Sequence, residues 1–267
     1  MKLKKIVSFV MLSASLCSLA SCSSNHPDLL STIVSKKELV VGLEATYKPF
    51  EYTDTAGNIV GFDVDFMGLV EKKIESTYHI DLTLTFKDLA FDGLITSVQS
   101  GQIDVICSAM TINEEREKSV SFSDPYFDSK SVVVVKTGSS ISTMEDLKAA
   151  KVGAQMGTEQ ASYITEDGWN SANMVVTKVS DLSLALESGQ IDALVLDQAV
   201  AESLIAAYSD MTILDGIDFD DAGSFGIAVS KTNTSEFLSL VNSVIRDSKA
   251  DGSLTSLYQS AVEKANA

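Results

Sequence analysis

The pentapeptide Ser-Gly-Gln-Ile-Asp occurs twice, at residues 100–104 and 188–192, and this repeat constrains the fold more than any other feature. Each copy follows a stretch with helical spacing of apolar residues and precedes an apolar run. Gly101 and Gly189 therefore predict the left-handed residue that ends a helix, with a buried strand directly after it. Because the copies lie so far apart, they predict equivalent joints in two similar lobes. A short tandem repeat would have a period of about 20 to 50 residues.

Strand and helix patterns alternate on both sides of residue 130. Strands are predicted at 39–42, 82–86, 102–110, 131–136, 151–157 and 191–197. Helices are predicted at 62–78, 91–101, 139–150 and 181–189. This order is typical of βαβ units and predicts the α/β class, with two lobes that each contain a mostly parallel sheet flanked by helices. If the strand pattern after residue 220 and the closing helix pattern pack on the first lobe, the chain crosses between the lobes twice.

Residues 1–21 predict a secretory signal peptide. Three lysines precede an apolar run from Ile6 to Leu19, which is shorter than the roughly 20 residues of a spanning helix. A retained membrane helix is the alternative. The end of the run, Leu-Ala-Ser-Cys, resembles the bacterial lipobox, which implies a lipoprotein with Cys22 as the acylated (palmitate-type) first residue. We therefore expect residues 22–35 to be a lipid anchor and polar tether on the extracytoplasmic face of the cell membrane.

Charge and cysteine content exclude several classes of protein. Removing residues 1–21 takes away three lysines and no acid, so the formal net charge changes from -17 to -20. Such a surface repels phosphate backbones, and no nucleic-acid partner is expected. Once Cys17 is removed and Cys22 is modified, Cys107 is the one remaining cysteine, so no intrachain disulfide is expected. Its apolar surroundings favour a buried hydrophobic role over a nucleophile.

Most catalytic and metal-binding arrangements lack their residues. The histidines are His26, in the predicted tether, and His79, at a predicted helix end, so a Ser-His-Asp or Cys-His site has no base. No P-loop, dinucleotide fingerprint or Cys/His cluster occurs, so no cofactor and no metal site are expected. The acidic run from Asp218 has Val229 instead of glutamate at the twelfth position, which favours a solvated turn over a calcium loop.

Residues 108–116, Ser-Ala-Met-Thr-Ile-Asn-Glu-Glu-Arg, predict a carboxylate-binding site. Thr111 and Glu114 have the spacing of a capping box, so a strand end is predicted to turn directly into a helix. Backbone N–H groups at such a turn attract anions, and Arg116 adds a planar fork that binds a carboxylate through two hydrogen bonds. Surface pairing of Arg116 with Glu114 or Glu117 is the alternative.

Asp197 follows the apolar run that begins after the second copy of the pentapeptide. Ligands of open α/β sheets bind at the carboxyl ends of the strands, where a carboxylate could accept an ammonium group. A helix cap is the alternative for this residue.

The sequence resembles the extracytoplasmic amino-acid-binding proteins of ABC importers, in the polar amino acid class (solute-binding protein family 3). The resemblance covers residues 38–264 and rests on YKPFEYTDTAGNIVGFDVD, FDGLITSVQSGQIDVICSAMTINEEREKSVSFSDPYF, KVGAQMGT and SGQIDALVLD. It implies a periplasmic-binding-protein-like clamshell of two α/β lobes, 36–127 plus 226–267 and 128–225, joined by hinge strands near 125–129 and 224–228. It also implies a monomer that delivers a free L-amino acid to an ABC permease and ATPase.

The resemblance assigns roles to individual residues. Arg116 is expected to bind the α-carboxylate of the ligand, helped by the backbone at Ala109, Thr111 and Thr158. Asp197 is expected to bind the α-ammonium group. Tyr47 and Phe91 match aromatic positions that enclose the ligand side chain, although both could instead be core residues. Because Arg116 and Asp197 are expected in different lobes, the ligand would stabilise the closed state.

Two acidic residues bear on the choice of amino acid. Glu44 lies where the family often has an acidic or polar residue, and Glu159 lies where many members have a small hydroxyl residue or glycine. With the two rings they predict a cage for a cation, which favours arginine or another basic amino acid. Glutamine or another polar amino acid is the alternative, and Glu159 could also point to solvent.

Two other functions fit a related fold. The fold is similar to that of periplasmic cyclohexadienyl dehydratases, in which Glu44 or Glu159 would act as a general acid. A prephenate-like substrate calls for a second cationic residue, and no candidate is evident, so we predict a binding protein rather than an enzyme. A ligand sensor that does not serve transport would be distinguished by a fused membrane or signalling domain.

Overall fold

The computed structural model describes residues 28–219 and 221–267. The predicted signal peptide and Cys22 lie outside these residues. A helix (Leu29–Lys36) occupies residues that were assigned to the predicted tether. The Asp28 carboxylate caps this helix by accepting a hydrogen bond from the Leu30 N–H at 2.8 Å, and Leu30 and Ile33 are buried. No helix in the described ranges is both long and apolar enough to cross a bilayer.

The described residues form the following helices, with a short 3-10 turn at Phe91–Gly93 before the third. They are α1 (Leu29–Lys36), α2 (Phe62–Tyr78), α3 (Leu94–Gln99), α4 (Glu114–Glu117), α5 (Met144–Ala149), α6 (Glu159–Thr165), α7 (Val179–Glu187), α8 (Gln198–Ala207), α9 (Ser235–Asp251) and α10 (Ser253–Ala265). The predicted helix at 62–78 is confirmed with the same bounds. α5 lies within the predicted helix at 139–150 and begins with a capping box formed by Thr143 and Asp146.

The strands are shorter than the helices on average, and many have only two or three residues. They are β1 (Glu38–Leu43), β2 (Thr46–Tyr47), β3 (Glu51–Thr53), β4 (Ile59–Val60), β5 (Thr83–Asp88), β6 (Val105–Ile106), β7 (Val120–Phe122), β8 (Phe127–Ser129), β9 (Ser131–Lys136), β10 (Val152–Gln155), β11 (Met174–Val176), β12 (Ala193–Asp197), β13 (Met211–Ile213), β14 (Gly223–Phe225) and β15 (Ala228–Ser230).

Two five-stranded sheets have the same layout, and each forms the centre of one lobe. The first sheet has the order β5-β1-β6-β15-β7 and the second β11-β10-β12-β9-β13. In each sheet the first three strands in the order are parallel, whereas the fourth pairs antiparallel with both neighbours. The α/β class and the mostly parallel sheets are confirmed, because four of the five strands in each sheet run in one direction and the fourth in the order opposes them.

The antiparallel strands follow from the path of the chain between the lobes. Strand β8 lies between β7 of the first sheet and β9 of the second, and β14 precedes the return to β15 in the first sheet. β8 and β14 pair antiparallel, with Ser129 opposite Gly223 and Phe127 opposite Phe225. β9 and β15, the strands that follow the two crossings, therefore run antiparallel to the other strands of their sheets.

The repeated pentapeptide occupies equivalent joints in the two lobes. Gly101 (φ 74°) and Gly189 (φ 73°) end α3 and α7 in the left-handed region, as predicted. The aspartate of each copy then fixes the start of the central strand of its sheet. Asp104 Oδ2 accepts a hydrogen bond from Val40 N, and Asp192 Oδ2 accepts one from Lys151 N, each at 2.8 Å. The glycine and the aspartate therefore explain why one short sequence recurs.

Candidate ligand-binding site

A narrow cavity lies between the two lobes. The first lobe contributes six of the predicted site residues to its wall, namely Glu44, Tyr47, Phe91, Ala109, Thr111 and Arg116. The second lobe contributes Thr158 and Asp197. Eight of the nine predicted ligand-binding residues therefore meet at one place, although they are widely separated in the sequence.

Arg116 is a buried cation at the wall of this cavity, with 8% of the residue exposed. Its Nη1 donates to the Thr111 carbonyl oxygen at 2.7 Å and its Nη2 to the Gly157 carbonyl oxygen, across the lobes, at 3.0 Å. The guanidinium carbon lies 5.3 Å from the centre of the Phe91 ring. Among the described residues no carboxylate forms an ion pair with Arg116, and desolvation lowers its pKa.

The local structure around Arg116 differs from the predicted capping box. The N-cap of the single-turn helix α4 is Asn113, whose Oδ1 accepts a hydrogen bond from Arg116 N at 2.8 Å. Thr111 cannot serve as the cap because its backbone is held in a β-bridge with Phe225. The surface pairing of Arg116 with Glu114 or Glu117 does not occur, since the arginine side chain turns inward. A helix start in this segment is confirmed, but the helix begins after Asn113, two residues later than the predicted capping box implies, so the assignment of its cap was wrong.

Asp197 ends β12, and its side chain lies in the cavity wall with 7% of the residue exposed. It occupies the N-cap position of α8 but makes no side-chain capping hydrogen bond. Instead its Oδ2 accepts a short hydrogen bond from the Tyr47 hydroxyl of the other lobe, and its Oδ1 accepts one from Ser129 Oγ at 2.9 Å. Burial raises the pKa of Asp197 to about 6, against the opposing effect of the Tyr47 hydrogen bond.

The backbone near Ala109 offers the ligand less than the sequence suggested. The Ala109 N–H donates to Asp63 Oδ2 at 2.8 Å, in a buried hydrogen bond. It is therefore not available for a ligand carboxylate, and only the carbonyl oxygen of Ala109 remains as a polar group of its backbone. Ala109 also has a φ of 43°, in the left-handed region that residues other than glycine seldom adopt.

Glu44 and Gln155 form the acidic and amide part of the cavity wall. Gln155 Nε2 donates to Glu44 Oε2 and to the Thr177 carbonyl oxygen, each at 3.1 Å. Both amide hydrogens are thus used, which leaves the side-chain oxygen of Gln155 as an acceptor. Burial raises the pKa of Glu44, and the hydrogen bonds from Thr46 and Gln155 oppose the rise.

Glu159 does not line this cavity. It is the first residue of α6, is half-buried, and its Oε1 accepts a hydrogen bond from Asn113 Nδ2 of the first lobe at 2.7 Å. The carboxylate therefore bridges the two lobes beside the cavity. Its place at the N-terminus of a helix directs it towards the opposite lobe rather than towards the space between Glu44 and Asp197.

Four polar residues of the cavity wall were not predicted, namely Glu51, Ser108, Gln155 and Gln160. Each lies in or near an apolar segment that the sequence predicts to be buried. A polar residue in a buried segment was therefore the sequence feature that could have identified them as site residues. Glu51 is the most unusual of them, because it is 1% exposed and its Oε2 has no hydrogen-bond partner.

A two-lobed α/β protein with an enclosed polar cavity at the interface is a solute-binding protein of the clamshell type. Residues 39–264 match the sequence model of the family described as bacterial extracellular solute-binding proteins, family 3. The chain belongs to this family, which confirms the resemblance and the clamshell fold.

Relatives and solved structures agree with this assignment. The arginine-binding extracellular protein ArtP of Bacillus subtilis (strain 168) is 32% identical over 90% of both chains. The L-cystine-binding protein TcyJ of Escherichia coli (strain K12) is 32% identical over 86% of this chain and 85% of its own. The arginine-bound form of truncated ArgBP from T. maritima is 40% identical, with a TM-score of 0.74 over 81% of this chain and 99% of that chain. This protein is thus an extracytoplasmic amino-acid receptor of an ABC importer.

Proposed function

We propose that this protein is a lipid-anchored receptor that binds arginine, or another basic amino acid, and delivers it to an ABC permease and its ATPase. The observation that carries the proposal is Arg116, a buried cation without an ion-pair partner among the described residues, in the wall of a cavity that also contains Asp197 and Glu44. The proposed anchor, Cys22, follows the lipobox-like sequence and would keep the receptor at the membrane.

The ends of a free amino acid match the two charged anchors. Arg116 would bind the α-carboxylate through its guanidinium fork, with Thr111 and Thr158 beside it. Asp197 would accept the α-ammonium group together with the Ala109 carbonyl oxygen. Burying either charge of the ligand without a partner would cost several kcal/mol, and this arrangement leaves neither charge unpaired. A micromolar affinity requires about 8 kcal/mol, which several charge-assisted hydrogen bonds of about 1.5 to 3 kcal/mol each can supply against the cost of ordering the ligand.

The charge balance of the cavity favours a basic side chain. When ionised, Asp197 and Glu44 together exceed Arg116 by one negative charge. A basic amino acid carries a net charge of +1 and balances this excess, whereas glutamine leaves it in place. Beside Glu44, the oxygen of Gln155 is a second acceptor for a donor-rich guanidinium group. Tyr47 and Phe91 would flank the aliphatic part and contribute about 0.5 to 2 kcal/mol of cation–π energy.

Closure of the clamshell would couple binding to recognition by the importer. The hydrogen bonds from Tyr47 to Asp197, from Gln155 to Glu44 and from Arg116 to the Gly157 carbonyl all join the two lobes around the cavity. A ligand held by Arg116 and Asp197 adds further bonds that exist only in the closed state, so it shifts the population towards closure. We keep 36–127 plus 226–267 and 128–225 as the proposed extents of the two lobes.

Glutamine is the second candidate ligand. Because the pKa of Glu44 is raised by burial, this residue can carry a proton and donate a hydrogen bond to the side-chain oxygen of a neutral amide. Ionised Glu44 favours arginine, and protonated Glu44 favours glutamine.

A thermal-shift screen of the mature chain from residue 23 tests the proposal. The protein is unfolded and refolded to remove carried-over ligand, then heated with each of the twenty amino acids, ornithine, citrulline and prephenate. We expect the largest rise in melting temperature with arginine and a smaller one with its neutral analogue citrulline. A larger rise with glutamine than with any basic amino acid would replace the proposed ligand, and a rise with prephenate alone would favour the enzyme.

A further inference from the structure

Two buried carboxyl groups lie at the ligand cavity, Glu51 in its wall and Asp63 outside its lining. Glu51 and Asp63 are 1% and 0% exposed, respectively. Ser108 Oγ donates to Glu51 Oε1 at 2.7 Å and accepts the backbone N–H of Glu44 at 3.0 Å. Asp63 Oδ2 accepts the backbone N–H of Ala109 at 2.8 Å. Each carboxyl group is therefore connected to a different part of the ligand site.

The two groups differ in their supply of hydrogen-bond donors. Both oxygens of Asp63 lie within reach of the Tyr126 hydroxyl, at 3.0 and 2.9 Å, and one of them also accepts the Ala109 N–H. Glu51 has one donor, Ser108, on Oε1 and none on Oε2. A buried charged oxygen without a donor is costly, and two neighbouring carboxylates are not both ionised without a further penalty. A proton on Oε2 of Glu51 removes both costs, because it neutralises Glu51 and ends its repulsion with Asp63, the charge that acts on it most strongly.

We propose that Glu51 and Asp63 form a carboxyl–carboxylate pair that shares one proton and positions two parts of the ligand site. Glu51, acting through Ser108, fixes the strand end that carries Glu44. Asp63 fixes Ala109 and with it the turn that leads to Arg116. The inference rests on the proposed amino-acid site, and it makes Glu51 and Asp63 positioning residues, which act on the site through Ser108 and Ala109.

The surroundings of the pair are consistent with a single negative charge. Burial, and next the Asp63 carboxylate, raise the pKa of Glu51 well above its usual range. Burial raises the pKa of Asp63 only to about 6, because the Ala109 and Tyr126 hydrogen bonds oppose it. The other titratable groups that act on the pair are Glu44, Tyr47, Cys107 and Tyr126, and burial raises the pKa of each of them.

Asp63 also explains an unusual backbone conformation. Ala109 has a φ of 43°, which a residue with a Cβ adopts at a cost. Its N–H is satisfied only by the Asp63 carboxylate, so this bond holds the turn in the conformation that places Thr111 and Arg116. A neutral amide at position 63 would present a donor group beside the Ala109 N–H and the Tyr126 hydroxyl, whose hydrogen bonds Asp63 now accepts.

Calorimetric titration of purified ligand-free protein with L-arginine tests the pair. The variants are Glu51→Gln, Asp63→Asn and, as matched control, Asp65→Asn, which changes a more exposed carboxylate on the same helix. Glutamine at position 51 keeps an acceptor for Ser108 and replaces the O–H donor with an N–H donor, so we expect an affinity within about threefold of the wild type. Asp63→Asn should weaken binding by about tenfold or more, whereas Asp65→Asn should leave it unchanged.

An infrared spectrum at neutral pH provides a readout that folding alone would not change. The wild type should show a carboxylic acid C=O band that is absent from the Glu51→Gln spectrum. A tenfold loss of affinity in Glu51→Gln, an unchanged affinity in Asp63→Asn, or identical infrared spectra of wild type and Glu51→Gln would each overturn the inference. If Asp63→Asn does not fold, the affinity of Glu51→Gln and the infrared spectra still test whether Glu51 and Asp63 share a proton. If the wild type binds another amino acid instead of arginine, the proposed ligand fails, and the same titrations with that amino acid test the pair.

Discussion

The buried carboxyl group of Asp197 makes ligand affinity and ligand-free stability respond to pH in opposite directions. Its pKa is raised from 3.8 to about 6 by burial. The difference of about two units corresponds to about 3 kcal/mol that the folded, ligand-free protein loses by keeping this group ionised. The folded state therefore binds more protons than the unfolded state between about pH 4 and 6. Through this group, ligand-free stability rises as the pH falls through 6, and the gain is complete below the unfolded pKa of 3.8.

Ligand affinity changes with pH in the opposite direction, because an ammonium group needs the ionised carboxylate. Below about pH 6, the proton on Asp197 must leave before the ligand binds, so the dissociation constant should rise by about tenfold for each further pH unit. Calorimetric titration with citrulline measures this effect, since a neutral side chain does not depend on the charge of Glu44. The Asp197→Asn variant should bind weakly at every pH, and its ligand-free melting temperature should rise less on acidification than that of the wild type. An affinity for citrulline that stays constant between about pH 7 and 5 would refute the reasoning.

Three substitutions test other contacts of the cavity. Tyr47→Phe removes the hydroxyl donor of Asp197, so calorimetry should find arginine affinity reduced by about tenfold, with the pH dependence shifted upward. Glu44→Gln should reduce the affinity for arginine by about tenfold or more and that for citrulline only slightly, and equal losses would contradict the proposed charge pairing. Gly157 has a φ of 81°, and a Cβ there would lie 2.9 Å from the Cβ of Asp92 in the other lobe, so Gly157→Ala should prevent full closure. Small-angle scattering with arginine should then give a larger radius of gyration than for the wild type, and equal radii would exclude this steric effect.

Local sequence signals predicted the elements and the joints of the fold. The apolar spacing of α2 and the glycines of the two pentapeptides involve contacts within a few residues, so the sequence alone contains the relevant information. The one strand that opposes the others in each sheet, β9 or β15, was not predicted, because its direction depends on the crossings between the lobes. The residues of α1 were assigned to the tether. The pattern that marks this helix is only one capping residue and two buried apolar residues within a polar segment, which is too short to predict a helix.

The candidate site could be predicted where one residue has one chemical role. Arg116 and Asp197 were identified because an arginine near a helix start and an aspartate at a strand end each suggest a charged ligand. Glu51 and Gln155 were missed because their roles depend on partners far away in the sequence, such as Ser108 and Glu44. For the same reason Glu159, chosen by its position in a motif, proved to face Asn113 instead of the cavity.

Calorimetric titration of the Arg116→Ala and Asp197→Ala variants with the amino acid that stabilises the wild type most tests the central claim directly. The exposed Arg246→Ala change serves as the matched control for loss of an arginine. We predict that both cavity variants lose measurable binding while each remains folded with a cooperative melting transition, and that Arg246→Ala binds as the wild type does. Wild-type affinity in both cavity variants would contradict the claim that an amino acid is held between these two residues.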